Sequence, residues 1–135
     1  MTGDQLARAA EALIGSPFRL HGRDPATGLD CIGVLAAALK ATGHSAVLPS
    51  DYSLRNRRIP DTAAAAASAG LAPAKGECAA GDVVLCRVSA CQFHLAIALG
   101  PDRFIHAHAG LGRVVLSPAP LPWPILQHWR PAPTP

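Results

Sequence analysis

Aromatic residues are scarce in this chain: three Phe, two Trp and one Tyr among 135 residues. Charge of one sign is scarce too, with a net charge of +3 and no basic cluster beyond Arg55-Asn56-Arg57-Arg58. A nucleic-acid surface ordinarily carries a basic stripe with interleaved aromatics, so no nucleic-acid partner is expected. The arginine cluster reads as a solvated face. No run of eighteen apolar residues occurs, which excludes a helical membrane span. The start, Met1-Thr2-Gly3-Asp4-Gln5-Leu6-Ala7-Arg8, lacks the basic and apolar stretches of a secretory signal. The expected location is therefore cytoplasmic as synthesised. Cysteine is limited to Cys31, Cys78, Cys86 and Cys91, with no C-x-x-C pair. That argues against a structural zinc motif or a thioredoxin-type motif, and the four read as reduced thiols.

Half of the chain is hydrophobic, much of it alanine. The length suits one domain, here residues 1–130, followed by a Pro-rich tail at 131–135. Leu6, Ala9, Ala10, Leu13 and Ile14 have helical spacing and predict a helix over 4–14, ended by Gly15-Ser16-Pro17. A polar loop over 18–30 leads to a second helix, Cys31 to Thr42, with Asp30 as N-cap and Gly43 as stop. Residues 44–60 read as irregular. Asp61-Thr62 caps a third helix through the alanine run 63–69. After Gly81-Asp82 the pattern changes to strands at 83–88, 93–99, 103–107, 114–117 and 125–130. Helices first and strands second predict an α+β fold, with helices packed on one face of an antiparallel sheet of about five strands.

Two features carry chemistry. Cys31 opens its helix, where unpaired backbone N–H groups and the positive end of the dipole favour thiolate over thiol. A buried cysteine is also commonly a small apolar filler, so position alone leaves both readings open. The second feature is a histidine hairpin. His106 and His108 share a strand face because side chains alternate. A three-residue connection at Gly100-Pro101-Asp102 places His94 opposite His108 and diagonal to His106. A two-residue connection without a bulge turns His94 to the other face. Cysteine and histidine together supply a nucleophile and its base, and another polar group fixes the base's tautomer. Cys31, His94 and His106 fill those roles in order. The competing chemistry is a metal site built from His94, His106, His108 and Cys31. It lacks a compact ligand motif, so neither a metal nor a cofactor is expected.

The chain resembles the NlpC-type family of papain-like cysteine peptidases from about Leu13 to Val115. Ile14-Gly15-Ser16-Pro17-Phe18-Arg19-Leu20-His21-Gly22 resembles the family's Gly-x-Pro-Tyr-x-x-Gly-Gly segment. Leu29-Asp30-Cys31-Ile32-Gly33-Val34 resembles its Asp-Cys-Ser-Gly motif. Gly81-Asp82-Val83-Val84 resembles its Pro-Gly-Asp, and His94-Leu95-Ala96-Ile97-Ala98-Leu99-Gly100 its base motif. Arg103-Phe104-Ile105-His106-Ala107 resembles the strand that carries the third polar residue. The resemblance implies a papain-like fold and hydrolysis of peptidoglycan stem peptides, with Cys31 as nucleophile, His94 as base and His106 as orienter. It also implies that the Cys31 backbone N–H helps form the oxyanion hole and that Asp30 helps bind a substrate amine.

Three departures stand beside the motifs. Phe18 replaces a Tyr whose hydroxyl assists at the oxyanion, Ile32 replaces a Ser beside the nucleophile, and His21-Gly22 replaces Gly-Gly. Phe18, Asp30 and Ile32 are thus the candidate substrate-binding positions. The lack of a wall-binding domain and of a secretion signal is similar to stand-alone members found with phages and gene transfer agents, which implies phage-like tail proteins as partners. The alternatives are a catalytically weak structural component of such an assembly, and an amidase or acyltransferase using the same triad.

Overall fold

The computed structural model describes residues 1–44, 63–90 and 92–132. The arginine cluster, the irregular stretch after His44, the Asp61-Thr62 cap, Cys91 and the last three residues of the Pro-rich tail lie outside the described residues. Helix α1 spans Gly3–Glu11. Thr2 caps it in a reciprocal box: Gln5 N donates to Thr2 Oγ1 at 3.1 Å, and Thr2 N donates to Gln5 Oε1 at 2.8 Å. Such a box satisfies two of the helix's orphan donors. The helix stops three residues before its apolar pattern does. Leu13 N and Ile14 N bond three residues back, to Ala10 and Glu11, in a tightened last turn that seats Leu13 in the core.

The 18–30 segment is not wholly irregular. It holds a small ribbon, β1 (Arg23–Asp24) and β2 (Gly28–Leu29). Helix α2 follows at Cys31–Ala41, capped by Asp30 as the sequence predicts. Helix α3 covers Ala63–Ser68.

Among the described residues the main sheet has six strands. They are β3 (Leu71–Pro73), β4 (Val83–Ser89), β5 (Gln92–Gly100), β6 (Arg103–His108), β7 (Arg113–Pro118) and β8 (Ile125–Pro131). Their order is β3-β8-β4-β5-β6-β7, with every pairing antiparallel. The strand absent from the sequence reading is β3. Three residues, one of them Pro, show no alternation, and only pairing with β8 makes them a strand.

Both faces of this sheet are covered, which explains the near-continuous apolar run of β4. One face carries Val83, Leu85, Phe93, Ile97, Ile105, Val114 and Trp129, packed with Leu6 and Ala10 of α1 and Val34, Leu35 and Leu39 of α2. The opposite face buries Val84, Cys86, Ala96, Ala98 and Phe104 beneath Leu121 and Trp123. Cys31, Cys78 and Cys86 are free. No helix among the described residues is long and apolar enough to cross a membrane.

The β5–β6 connection differs from the three-residue reading. Ile97 pairs with Ile105 and Ala98 with Phe104, but Gly100 then pairs with Arg103. The turn is therefore Pro101-Asp102, and Leu99 is the extra residue of a β-bulge. A bulge sets two residues of one strand against one of the other. His94 consequently lies on the same face as His106, as a three-residue connection would have placed it.

Candidate active site

Asp30 sets the start of α2, and its carboxylate is fully engaged. Oδ1 accepts from Gly33 N at 2.8 Å and from Arg23 Nη1 at 2.9 Å, while Oδ2 accepts from His21 N at 2.8 Å. The close turn depends on glycine: a Cβ on Gly33 would collide with the carbonyl of Gly22. His21 occupies the left-handed region at φ 61°, a conformation that costs a non-glycine residue roughly 1 kcal/mol. That is the local consequence of placing a histidine at this turn.

Cys31 is buried at the first position of α2, and the backbone of Leu95 in β5 is a hydrogen-bonding neighbour of its sulfur. Desolvation pushes its thiol up to about 12, with a further upward push from Asp30. The backbone of Leu95, Ile32 and Cys31 itself pulls the other way and does not prevail. This corrects the expectation that the helix start favours thiolate. The dipole contributes at most a kcal/mol or two, and complete burial outweighs it.

The histidines form a chain. His94 Nε2 lies 3.0 Å from His106 Nδ1, and His106 Nε2 lies 2.8 Å from Ser117 Oγ. The rings of His94 and His106 are nearly perpendicular, 86° apart. Trp123 meets both rings edge-on, with centroids 5.5 and 5.7 Å away. Burial lowers His94 to about 4, helped by His106 and His108, and it lowers His106 to about 4, helped by His108. Both rings are therefore neutral at pH 7, and each carries one proton.

Neutral rings fix the direction of the chain. If His94 is to accept at Nδ1, its proton sits on Nε2 and is donated to His106 Nδ1. His106 then carries its own proton on Nε2 and donates it to Ser117. Nδ1 of His94 has no hydrogen-bond partner among the described residues, so it is the nitrogen left to take a proton.

One cavity of about 810 Å³ joins these groups: Cys31, His94 and His106 line it together with Phe18, Asp30 and Ile32. All six candidate positions thus meet at one place, but not all in the expected form. Asp30 reaches the cavity with its carboxylate already held by three N–H donors. Phe18 contributes a ring and no hydroxyl, and its N–H is tied to Gly112 O. His108 also lines the cavity, but its Nδ1 accepts from Leu111 N at 3.0 Å in the following turn. Among the described residues the ligand atoms of His94, His106, His108 and Cys31 do not gather closely enough to share an ion, so the histidine-based metal grouping does not assemble there.

Sequence reasoning missed Ser117 and Trp123. Ser117 pairs with Phe104, two residues along from His106, so the β6–β7 register would have revealed it. Trp123 comes from the Pro-rich link before β8. A lone tryptophan there was the available signal, because indole seldom goes unburied.

The fold is shared with solved proteins. It matches NlpC2 from Trichomonas vaginalis with a TM-score of 0.68 at 16% identity, covering 98% of this chain and 47% of that one. This chain thus spans under half the length of that protein. The NlpC/p60 domain of the peptidoglycan hydrolase SagA matches with a TM-score of 0.62 at 26% identity, over 87% of this chain and 90% of that one. The P60 domain of an antigen from M. avium subspecies paratuberculosis matches with a TM-score of 0.55 at 19% identity, over 95% and 92%. No curated protein matches the chain. The sequence pattern of the NlpC/P60 family matches residues 15–121, a span that holds Cys31, His94, His106 and Ser117, and the chain belongs to that family.

Proposed function

We propose that this protein is a cysteine peptidase that hydrolyses amide bonds in bacterial cell-wall stem peptides, with Cys31 as nucleophile, His94 as general base and His106 as the residue that orients it. NlpC/P60 members are generally cysteine hydrolases, and a domain 26% identical to this one belongs to a protein described as a peptidoglycan hydrolase. The observation that carries the reading is the shared cavity. A cysteine and a histidine line it, and the histidine's Nε2 is held by a second histidine while its Nδ1 is unpaired among the described residues.

The resting pair is a neutral thiol and a neutral imidazole, so the proton moves as the sulfur attacks. His94 Nδ1 takes the Cys31 proton while the S–C bond forms at the substrate carbonyl. The positive charge that develops on His94 is met by His106 Nδ1, and behind it by Ser117. The backbone N–H of Cys31 donates to the carbonyl oxygen as negative charge gathers there. His94 then returns its proton to the leaving amine. Water attacks the thioester with His94 again as base, which frees the acid and restores the thiol. Phe18 contributes no donor to the oxyanion, so the backbone carries more of that task than a tyrosine-bearing site would require.

The direct test is digestion of muropeptides by the wild-type protein and by Cys31→Ala, with products followed by mass spectrometry. New stem-peptide fragments from the wild type and none from the variant are expected. Silence from both, with intact circular dichroism, would overturn the reading in favour of another acyl substrate or a structural role.

A further inference from the structure

A second cysteine–histidine cluster lies outside this cavity, where the loop before β4 meets β8. Asp82 is completely buried, His128 nearly so and Cys78 half-buried. His128 Nε2 is 2.6 Å from Asp82 Oδ2 and 3.8 Å from Cys78 Sγ. Arg130 grips the same carboxylate with two bonds of 2.8 Å, and Ala79 N donates to Oδ2 at 2.9 Å.

The geometry differs from a catalytic relay in one decisive respect. A relay uses both ring nitrogens, one for each neighbour. Here sulfur and carboxylate address the same nitrogen, and the three donor atoms lie within 4.8 Å of one another. A single proton on Nε2 satisfies Asp82 and leaves the sulfur over. An ion at the common point satisfies all three. We infer that Cys78, Asp82 and His128 form a site for a divalent transition ion of the zinc class, with water in the fourth position.

The dimensions suit that ion. Tetrahedral zinc with ordinary bond lengths sets sulfur and nitrogen ligands about 3.6 Å apart and nitrogen and oxygen ligands about 3.4 Å apart. The observed sulfur–nitrogen spacing is already close. The imidazole must withdraw from the carboxylate by roughly 0.8 Å, and the ion takes the place of the hydrogen bond. Cys78 releases its proton to solvent as the ion binds, and the proton leaves His128 Nε2, so both atoms offer a lone pair. Arg130 and Ala79 hold the carboxylate in place, the supporting role that neighbours of metal-bound carboxylates commonly play. The ion would clamp β8 to the entrance of β4, a structural task separate from peptide hydrolysis.

The test is a titration of the chelator-treated full chain with Co²⁺, read by absorbance, and with Zn²⁺, read by melting temperature. One Co²⁺ per chain is expected, with a sulfur-to-cobalt band in the near ultraviolet and four-coordinate visible bands. Zn²⁺ is expected to raise the melting temperature by about 5 °C. The ultraviolet band should vanish in Cys78→Ser, and affinity should fall at least tenfold in His128→Ala. Both responses should survive in Cys31→Ser. If the wild type gives no band, or if the band persists in Cys78→Ser and disappears in Cys31→Ser, the assignment is wrong.

Discussion

The histidines of the two cysteine–histidine clusters sit on one face of the same sheet, because Cys86 pairs with His94 and its neighbour but one, Val84, pairs with His128. Their wiring is opposite. Around His94 the bonds run in series, from His94 Nε2 to His106 Nδ1 and from His106 Nε2 to Ser117, with His94 Nδ1 left open. Around His128 they converge on one nitrogen. Their charges also differ. Burial keeps His94 and His106 neutral. At Asp82 burial opposes the charge, but hydrogen bonds from Arg130, Ala79 and His128 outweigh it and hold the carboxyl below its usual range. A series of neutral rings can accept a proton and disperse its charge. A convergent, charged cluster is locked and acts as a fastening. Residue type does not distinguish the two; bonding direction does.

That contrast is open to breakage. The largest effect is expected at the series cluster. His106→Ala removes the acceptor behind His94 and should lower kcat by about a hundredfold or more, with KM little changed. Melting temperature should move far less than kcat. Asp82→Asn should do the reverse. It removes the charge from a buried carboxylate that accepts from Arg130, Ala79 and His128 and should lower stability measurably in chemical denaturation, by about 1–3 kcal/mol for the weakened buried hydrogen bonds, while kcat of the folded enzyme stays within twofold. If Asp82→Asn abolishes turnover with stability intact, the fastening reading of that cluster is wrong.

Acid should separate the clusters next. His94 and His106 have folded-state values depressed to about 4 against 6.5 when free. The unfolded chain therefore binds more protons between those limits. Their contribution to stability is complete above pH 6.5 and is lost as pH falls toward 4, by up to about 3 kcal/mol for one ring. The acid limb of kcat/KM should lie near pH 4, where the base becomes protonated, with no second rise between pH 6 and 8. A limb at 6.5 would mean that His94 is solvated and that the series arrangement does not hold in solution. The smallest effect is expected from Ser117→Ala, a loss of about threefold to tenfold in kcat, visible as a small downward move of the acid limb because protonated His94 loses support.

Much of this architecture is legible in the residues themselves. Asp30 as cap, Cys31 as first helical residue and the apolar β4 follow from local chemistry, and the structure places them within a residue of the sequence reading. What escaped depends on contacts distant in the chain. β3 exists because β8 offers an edge. Ser117 joins the site because β7 pairs with β6 in one register. The thiol of Cys31 is raised because α2 is buried against β5, which overrides the local dipole. Asp30 is occupied because the β1–β2 ribbon brings Arg23 back to it. The site's residue types were visible, while its partners and its proton affinities were settled by packing.

The Leu99 bulge has a consequence for how this hairpin can change. It is an odd residue in a structure that counts in twos. Remove it, and every side chain of β5 before it changes sides: His94 turns toward the helices, and Phe93 is expelled from the core. Lengthening the Pro101-Asp102 turn by one residue is tolerable only if the bulge is surrendered in exchange. The distance from His94 to His106 is therefore quantised rather than merely bounded, and the spacing between two imidazoles acts as an error-detecting digit for the whole hairpin.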